Sequence, residues 1–414
     1  MSSVLIFAEY LRSMAWSTTA WIPAIALELA ARGHDVRVFC DGIEDPAIFS
    51  SAPGHLRVHT RRPMRKLRAS DPLGFARWCG ESLDAHPGSR SISFTRYFPG
   101  DLWIPLGRPI MQAIFHAMRA HRPATAAMEI LHRPWAPKAL LAEHAAQSRA
   151  DRTHARLGDF RSPSASPSAP STSTGPQEPA WLTPLALGFA STITPSSPEH
   201  VESLRSRVRG LLSIPESALV VGLSAVHHDR AGLRDFFEGA AAAIQSHVPP
   251  SPDLHILVMG RKTHTLHTLV SACGAAAQTH LIGGTQRADA FLAACDVAVS
   301  TPTRVDRSST GRFIADALMM GLPVLTTHTA PGADLLKPGP EQSVSAGLIL
   351  DFPTPDAWRR ALRTAASPPW RAVAAARARA IAPTLTIAAL VDRLSSGLGL
   401  APAASTHPAI ALPA

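Results

Sequence analysis

The chain has 414 residues, 46% hydrophobic and 17% charged, so it is long enough for two domains with full interiors and is not globally disordered. Its formal net charge of +9 favours anionic partners such as nucleotide phosphates, acidic glycans, anionic lipid or nucleic acid. The four cysteines lie far apart without a C-x-x-C pair, which indicates free thiols in a reducing compartment rather than zinc ligands or disulfides.

The N-terminal part reads as a strand, a loop, a helix and a second strand. The apolar run at residues 4–8 predicts the first strand, and the apolar periodicity of residues 19–32 predicts a helix that ends before Gly33. Residues 35–40 predict the next strand, so the chain begins as a β-α-β unit, which is typical of a parallel sheet covered by helices. The first apolar run is too short for a signal peptide and no run reaches about 18 apolar residues, so we expect a cytoplasmic protein.

The rest of the N-terminal half contains a basic stretch and a low-complexity segment. The basic stretch at residues 57–68 could bind an anionic membrane surface, at about 1 kcal/mol per basic residue, or form a solvated face. A strand is predicted at residues 91–94 and a helix at residues 109–119. Residues 161–179 are mostly serine and proline, which predicts a disordered surface loop. The basic stretch leaves open a peripheral position at the inner membrane face.

A second series of strands and helices follows. A strand is predicted at residues 191–194, and then a helix at residues 198–212 with Ser196 or Ser197 as its N-cap. Further strands are predicted at residues 218–225, 254–259, 279–282, 297–300, 324–327 and 348–350. Helices are predicted among and after them at residues 312–320, 355–365 and 384–398.

This pattern predicts an α/β protein with two Rossmann-like β/α/β domains. The N-terminal domain is placed at residues 1–197 and the C-terminal domain at residues 198–382. A C-terminal helix within residues 383–400 is expected to pack back toward the N-terminal domain. Residues 401–414 are expected to form a disordered tail.

The clearest ligand-binding pattern lies in residues 295–334. A predicted strand ends at Ser300, a polar loop follows, and a helix starts near residues 309–312. Ligands of open α/β sheets bind at the carboxyl ends of the strands, and a helix start offers free N–H groups and a positive dipole end, so this loop predicts a phosphate site. Asp316 lies one turn further along the helix, where its carboxylate could accept hydrogen bonds from a ribose diol or could simply be solvated.

These residues resemble the donor-binding segment of the family-4 retaining glycosyltransferases, which have the GT-B fold of two Rossmann-like domains facing a cleft. In that family two glutamates frame the loop and helix, and a Gly-x-Pro-Val turn follows, as at residues 321–324. The similarity is strongest to the lipopolysaccharide-core glucosyltransferase subgroup, whose Asp-Pro-x-Ser-Arg pattern is echoed here. Asp316 takes the place of the second glutamate, and the first falls on Ser308, or on Asp306 if residues 310–311 are an insertion.

Two other segments resemble parts of the same family. Residues 218–234 resemble the opening of the donor domain, where a cation before a glycine holds the diphosphate; Ala231 takes the place of that lysine. Residues 99–107 resemble an acceptor-side motif whose histidine falls on Leu106. The resemblance implies Asp306 and Arg230 as catalytic residues. It implies donor binding by Ser308, Ser309, Arg312, Asp316 and Gly232.

The resemblance implies a glycosyltransferase of the hexosyltransferase type, acting with retention in cell-envelope polysaccharide or lipopolysaccharide synthesis. Its partners would be a nucleotide diphosphate sugar as co-substrate and a glycan or lipid-linked acceptor. No metal ion or other cofactor is expected, and no nucleic acid, since the chain has no recognition motif. The residues at positions 106, 231 and 308 favour an alternative, a non-catalytic GT-B paralogue that binds a glycan, a nucleotide or a partner enzyme. A nucleotide-sugar epimerase is a weaker alternative, because no acid and base groups can be identified for it.

Overall fold

The structure is a computed structural model of the chain, which divides into two compact units. The division near residue 188 falls a few residues before the predicted boundary after residue 197. The first unit comprises Met1–Ser13, Thr18–Gly188 and Leu390–Leu412, and the second comprises Met14–Ser17, Phe189–Ala389 and Pro413–Ala414. The residues that the structure describes are 2–11, 21–50, 52–61, 71–95, 97–103, 141–142, 145–146, 191, 193, 197–225, 230–245, 253–260, 264–282, 287–302, 310–330, 332–338 and 344–400.

In the described part of the first unit, the strands form a parallel sheet with the order β3-β2-β1-β4-β5. These strands are β1 (Ser3–Leu11), β2 (Asp35–Ile43), β3 (Leu56–Thr60), β4 (Arg90–Ser93) and β5 (Leu102–Trp103). The unit also contains α1 (Ile22–Ala31) and α2 (Pro72–Asp84). The order places β1 at the centre, with connections that leave it toward both edges.

The opening β-α-β unit forms because each piece hides its apolar residues. Residues 4–8 are completely buried, as expected for a central strand of a parallel sheet covered on both faces. Helix α1 buries most of its side chains, and Gly33 follows its end with φ +87°, the left-handed conformation that glycine adopts without strain. The predicted strands at residues 4–8, 35–40 and 91–94 are confirmed, and the first two extend further than predicted.

Several elements were not predicted from the sequence, among them β5 and the three that follow. Strand β3 falls on the start of the basic stretch, where basic residues alternate with apolar ones and conceal the strand pattern. Helix α2 is capped by Asp71, whose carboxylate accepts from the Gly74 N–H at 3.1 Å. The third is the helix Pro368–Ile381, for which no helix was predicted. The predicted helix at residues 109–119, the predicted loop at residues 161–179 and the predicted tail at residues 401–414 lie outside the described residues.

The described strands of the second unit form another parallel sheet, in the order β11-β10-β9-β6-β7-β8. They are β6 (Leu219–Ser224), β7 (Leu254–Met259), β8 (Thr279–Ile282), β9 (Val297–Val299), β10 (Val324–Thr327) and β11 (Gly347–Leu350), which confirms the predicted strands. Numbered within this unit from the opposite edge, the order is 3-2-1-4-5-6, that of Rossmann dinucleotide-binding domains.

The helices of this half also follow the predicted alternation. They are α3 (Pro198–Leu211), α4 (Arg230–Gln245), α5 (His264–Ala272), α6 (Ala288–Ala293), α7 (Thr310–Met319), α8 (Pro355–Ala366) and α9 (Pro368–Ile381). The last helix, α10 (Ile387–Leu398), begins in the second unit, and its residues from Leu390 onward belong to the first. Ser197 caps α3, since its hydroxyl accepts from the His200 N–H at 3.3 Å. The predicted strand at residues 191–194 is wrong: the described residues Ser191 and Ile193 are in no strand, and the Ser191 N–H donates to the Leu385 carbonyl at 2.7 Å.

Two apolar cores cover the faces of the second sheet. Successive residues of β6 point to opposite faces, so Val220 joins one core while Leu219 and Val221 join the other. Trp358 of α8 is fully buried in the second core, where its ring meets that of Phe236 edge-on with centroids 5.5 Å apart. The sheet is therefore held rigidly between helices, and its carboxyl edge is a fixed platform for the loops that follow the strands.

A buried ion-pair cluster fastens α3 to the amino end of β9. The Arg209 side chain is completely buried and donates to the Ala294 carbonyl at 3.0 Å, the Glu216 carbonyl at 3.0 Å and an Asp296 carboxylate oxygen at 2.9 Å. Asp296 also accepts from Arg205 at 2.7 Å and from a backbone N–H of β6 at 2.7 Å. The cluster lies at the edge of the sheet opposite the carboxyl ends of the strands, so we assign it to stability.

The buried thiols give a prediction about reactivity. Burial raises the pKa of Cys40 to about 12 and raises the pKa values of Cys79, Cys273 and Cys295 as well. Because the thiolate is the reactive form, we expect Ellman's reagent at pH 8 to modify at most the half-buried Cys273 in the folded protein and all four cysteines in guanidinium. Rapid modification of two or more thiols without denaturant would contradict this packing.

The same thiols make stability depend on pH. The folded chain keeps the Cys40 proton up to about pH 12, whereas the unfolded chain loses it near the ordinary pKa of 9.0. Since the folded state then binds more protons, its free energy of unfolding falls as the pH rises from about 9 to about 12.

Candidate functional site

The second sheet reverses its winding between β6 and β9. These strands are parallel neighbours, with Leu223 beside Val299, but the chain leaves β6 toward β7 on one side and leaves β9 toward β10 on the other. A crevice forms at the carboxyl ends of two such strands, and it is where open α/β sheets bind ligands. The loops that follow β6 and β9 therefore flank the best-placed ligand site of this unit.

The residues predicted to bind the donor follow these two strands. Arg230 is the first residue of α4, and Gly232 is buried in the first turn of that helix. Asp306, Ser308 and Ser309 fall in the segment between β9 and α7, outside the described residues, and the Arg230 side chain is likewise not described. The topology thus brings the start of α4 and the segment between β9 and α7 to one edge of the sheet. That the side chains in these two places bind a donor remains a prediction.

Small polar residues end the apolar runs of β6 and β9 at this edge. Ser224 is the last residue of β6, and Ser300 follows β9 directly. Within the described part of the chain, the fully buried Ser300 hydroxyl has no hydrogen-bond partner, an arrangement that costs about 1–3 kcal/mol. Ser300 was predicted only as the end of a strand, although the change from apolar residues to serine at the ends of both strands is a signal that could have marked it.

Threonines of β10 and its following loop fix the start of the β9 loop. The hydroxyls of Thr327 and Thr329 both donate to the Pro302 carbonyl, at 2.5 and 2.7 Å. The Thr326 hydroxyl donates to the Ser300 carbonyl at 3.1 Å. Thr326 and Thr327 close the predicted strand at residues 324–327 and Thr329 follows it, but nothing in the local sequence indicates these contacts. They hold the backbone at the point where the chain leaves the sheet toward α7.

Asp316 lies in the interior of the second unit. Its side chain is completely buried, and its Oδ1 accepts a 2.6 Å hydrogen bond from the Ser191 hydroxyl. Its Oδ2 lies 3.6 Å from Nε of Arg312, one turn nearer the start of α7. The sequence-based prediction that Asp316 binds a ribose diol stays a prediction, since a ligand would have to reach a carboxylate that is enclosed by protein.

Arg312 is better placed to meet a ligand. Its side chain is 12% exposed, and it lies in the first turn of α7, where the helix dipole disfavours a cation. Burial lowers the pKa of the Arg312 guanidinium, and the neighbouring Asp316 carboxylate opposes this only in part. A second negative charge near this side chain would stabilise it, which is the condition that a bound phosphate supplies.

Part of the basic stretch is committed to internal contacts. Arg57 is exposed, but the Arg61 side chain is mostly buried and its Nε lies 2.8 Å from a buried Asp41 carboxylate oxygen. Arg61 also lies over the ring of Phe75, with the guanidinium carbon 5.9 Å from the centroid. The rest of the stretch is outside the described residues, so its binding to an anionic membrane surface remains a prediction.

The residues that lead into the acceptor-side motif, and Leu102 within it, belong to the core of the first unit. The exposed fractions of Phe94, Tyr97 and Phe98 are only 3–4%. Asp101 holds the start of β4, because its carboxylate accepts from the Ser91 N–H at 2.8 Å. Leu106, which takes the place of the expected histidine, lies outside the described residues.

The described residues were also considered as membrane spans and metal ligands. Among the described residues, no single helix is long and apolar enough to cross a membrane, and one pair bent by 45°, residues 368–385 with 387–398, would pass by length and composition only. In the same part of the chain, no group of three or more His, Cys, Asp or Glu side chains could hold a metal ion.

Comparison with known families gives one match, and it covers the proposed site. Residues 217–367 match the family model described as "Glycosyl transferases group 1". This range includes β6 to β11 and both loops at the reversal between β6 and β9. Comparison of the sequence with curated proteins gives no match.

Solved structures of glycosyltransferases share the fold of nearly the whole chain. WaaG, a glycosyltransferase involved in lipopolysaccharide biosynthesis, has a TM-score of 0.60 at 17% identity, covering 95% of this chain and 98% of WaaG. HepE of Anabaena, solved with UDP and glucose, has a TM-score of 0.56 at 15% identity, covering 96% and 100%. Sucrose-phosphate synthase of Thermosynechococcus elongatus has a TM-score of 0.55 at 15% identity, covering 96% and 98%.

These likenesses show the fold, and residues 217–367 of the second unit match one family model. The two parallel-sheet α/β units are those of the GT-B glycosyltransferases, as the sequence resemblance implied. At such low identity the solved structures establish nothing further about this chain. The chain therefore has the GT-B fold, and its residues 217–367 match the glycosyl transferases group 1 domain.

Proposed function

We propose that the protein is a glycosyltransferase that moves a sugar from a nucleotide diphosphate sugar to a hydroxyl of a glycan or lipid-linked acceptor. The observation that carries this proposal is the group 1 match over residues 217–367, which spans both loops at the carboxyl edge of the second sheet. The likeness to HepE, solved with UDP-glucose, supports a nucleotide sugar as donor.

The geometry suggests how the donor would be held. Its diphosphate would lie at the start of α7, at the positive end of the helix dipole and beside Arg312, with Arg230 of α4 as a second cation. As the bond from the sugar C1 to the diphosphate oxygen breaks, negative charge grows on the leaving group. Fixed cations and N–H groups that stabilise this charge supply the main catalytic effect, and the proposal requires no metal ion.

The finer assignments belong to the same proposal. The resemblance in residues 295–334 supports transfer with retention and an acceptor of cell-envelope polysaccharide or lipopolysaccharide synthesis. A lipid-linked acceptor and the basic stretch at residues 57–68 together support a cytoplasmic protein at the inner membrane face. Asp306 and Arg230 are the proposed catalytic residues. Ser308, Ser309, Arg312 and Gly232 are proposed to contact the donor, and Asp316, which the resemblance places among the donor-binding residues, is proposed to act in the same site.

Calorimetric titration with UDP, GDP and ADP, and with their glucose or mannose conjugates, tests the donor site. We expect saturable binding of one nucleotide and its sugar conjugate, with the diphosphate contributing charge-assisted contacts that weaken as salt is added. Absence of binding by every nucleotide at millimolar concentration would refute the proposed donor site.

One observation favours a second function. Ala231 stands where the family has a lysine, and its side chain is exposed in the first turn of α4. A site without this cation could bind a nucleotide without turning it over, as a non-catalytic paralogue would. Release of free nucleotide from the bound nucleotide sugar, measured with and without cell-envelope glycans, separates the two functions. Binding without any release would favour the non-catalytic one.

A further inference from the structure

Ser191 joins separate parts of the second unit. Its hydroxyl donates to Asp316 Oδ1 at 2.6 Å and accepts from the Ile193 N–H at 3.0 Å. Its own N–H donates to the Leu385 carbonyl at 2.7 Å, in the 3₁₀ turn Ala382–Leu385. The residue is 2% exposed, so this arrangement is shielded from water and has one fixed geometry.

The carboxylate of Asp316 is fixed in turn by its partners. A completely buried carboxylate is costly unless charged and hydrogen-bonding groups surround it. Here the Ser191 hydroxyl holds one oxygen, and the other faces the guanidinium of Arg312 at 3.6 Å. Since Arg312 is four residues before Asp316 on α7, the carboxylate draws the arginine side chain along the helix surface.

Exposure separates the roles of these side chains. Asp316 is enclosed, whereas Arg312 keeps 12% of its side chain exposed at the start of α7. We propose that Ser191 and Asp316 are positioning residues that orient Arg312 toward the donor diphosphate, and that Asp316 acts through Arg312 rather than on the ribose. This inference rests on the proposed function, because it requires a nucleotide diphosphate at this end of the helix.

The main test is the affinity of Ser191→Ala for UDP, or for whichever diphosphate the wild-type protein binds. Loss of a hydrogen bond to a charged group should weaken binding about tenfold, because Arg312 is no longer held. In an Arg312→Gln background, Ser191→Ala should not weaken UDP binding further, since Ser191 is proposed to affect the ligand only by positioning Arg312. Ser82→Ala is the matched control: this buried serine of the first unit donates to the Trp78 carbonyl, and its loss should leave UDP affinity unchanged.

A second measurement distinguishes positioning from ribose contact. The affinities for UDP and 2′,3′-dideoxy-UDP are compared in wild type and in Asp316→Asn. A positioning role predicts that Asp316→Asn weakens both ligands by the same factor, so that their ratio is unchanged. Loss of the preference for the diol in Asp316→Asn would show ribose contact and overturn the inference.

The outcomes also separate this inference from the proposed function. If the wild-type protein binds no nucleotide, the proposed function fails. If it binds UDP and Ser191→Ala binds equally well, or if the serine and arginine effects simply add, only the positioning role is refuted. Circular dichroism of each variant shows whether it is folded, and Ser191→Ala is the mild variant if Asp316→Asn does not fold.

Discussion

Replacing Arg209 with methionine is expected to lower the free energy of unfolding of the second unit by at least about 2 kcal/mol, since each buried acceptor left without its donor costs about 1–3 kcal/mol while Asp296 keeps Arg205 as its cation. The substitution leaves the Asp296 carboxylate without its 2.9 Å partner, and leaves the Ala294 and Glu216 carbonyls without their donor. Methionine fills much of the volume, so the loss reports the charge and hydrogen bonds rather than a cavity.

Arg207→Met is the matched control. Arg207 lies on the same helix, α3, but is exposed, and surface substitutions of this kind change stability by less than about 0.5 kcal/mol. Unfolding in urea, followed by hydrogen exchange in peptides from the second unit, gives the change in unfolding free energy for both variants. Because only these peptides are read, unfolding of the first unit does not enter the values. A loss below about 1 kcal/mol for Arg209→Met would show that the cluster is not a main support of this unit.

The alternation of buried strands and helices could be predicted because short local patterns in the sequence determine it. Strands such as Leu254–Met259 and Val324–Thr327 are short apolar runs between turn residues, and their bounds agree with the prediction. Gly321 is left-handed, with φ +72°, at the predicted end of α7. Strand β3 was missed because its basic residues break the apolar pattern, and a strand was wrongly predicted around Ser191 because β-branched residues stand there in a non-strand segment.

The location of the candidate site followed from sequence better than its contacts did. A loop between a strand and a helix is visible locally, and so is the spacing of Arg312 and Asp316 along one helix face. The hydrogen bond from Ser191 to Asp316 joins residues 125 positions apart, and nothing in either local sequence indicates it. Arg209 illustrates the same limit, because it resembles a surface arginine until the fold brings Ala294 and Asp296 around it.

Replacing Arg312 with glutamine is expected to slow release of UDP from UDP-glucose about 100-fold, if UDP-glucose is the donor bound. The estimate follows from the loss of one preorganised group that stabilises charge on the leaving diphosphate. The rate can be measured with water as acceptor, so an identified glycan is not required. Arg363→Gln, which removes an exposed arginine from α8, should leave the rate unchanged.

The same substitution also leaves the Asp316 carboxylate buried without its cation, so a slow variant could merely be an unstable one. The double variant Arg312→Gln with Asp316→Asn resolves this, because it removes both charges and leaves two amides that can bond to each other and to Ser191. We expect it to regain most of the thermal stability lost in Arg312→Gln and none of the rate. Recovery of the rate together with stability would show that Arg312 supports the fold rather than the leaving group, and the cation for the diphosphate would then have to be sought in Arg230.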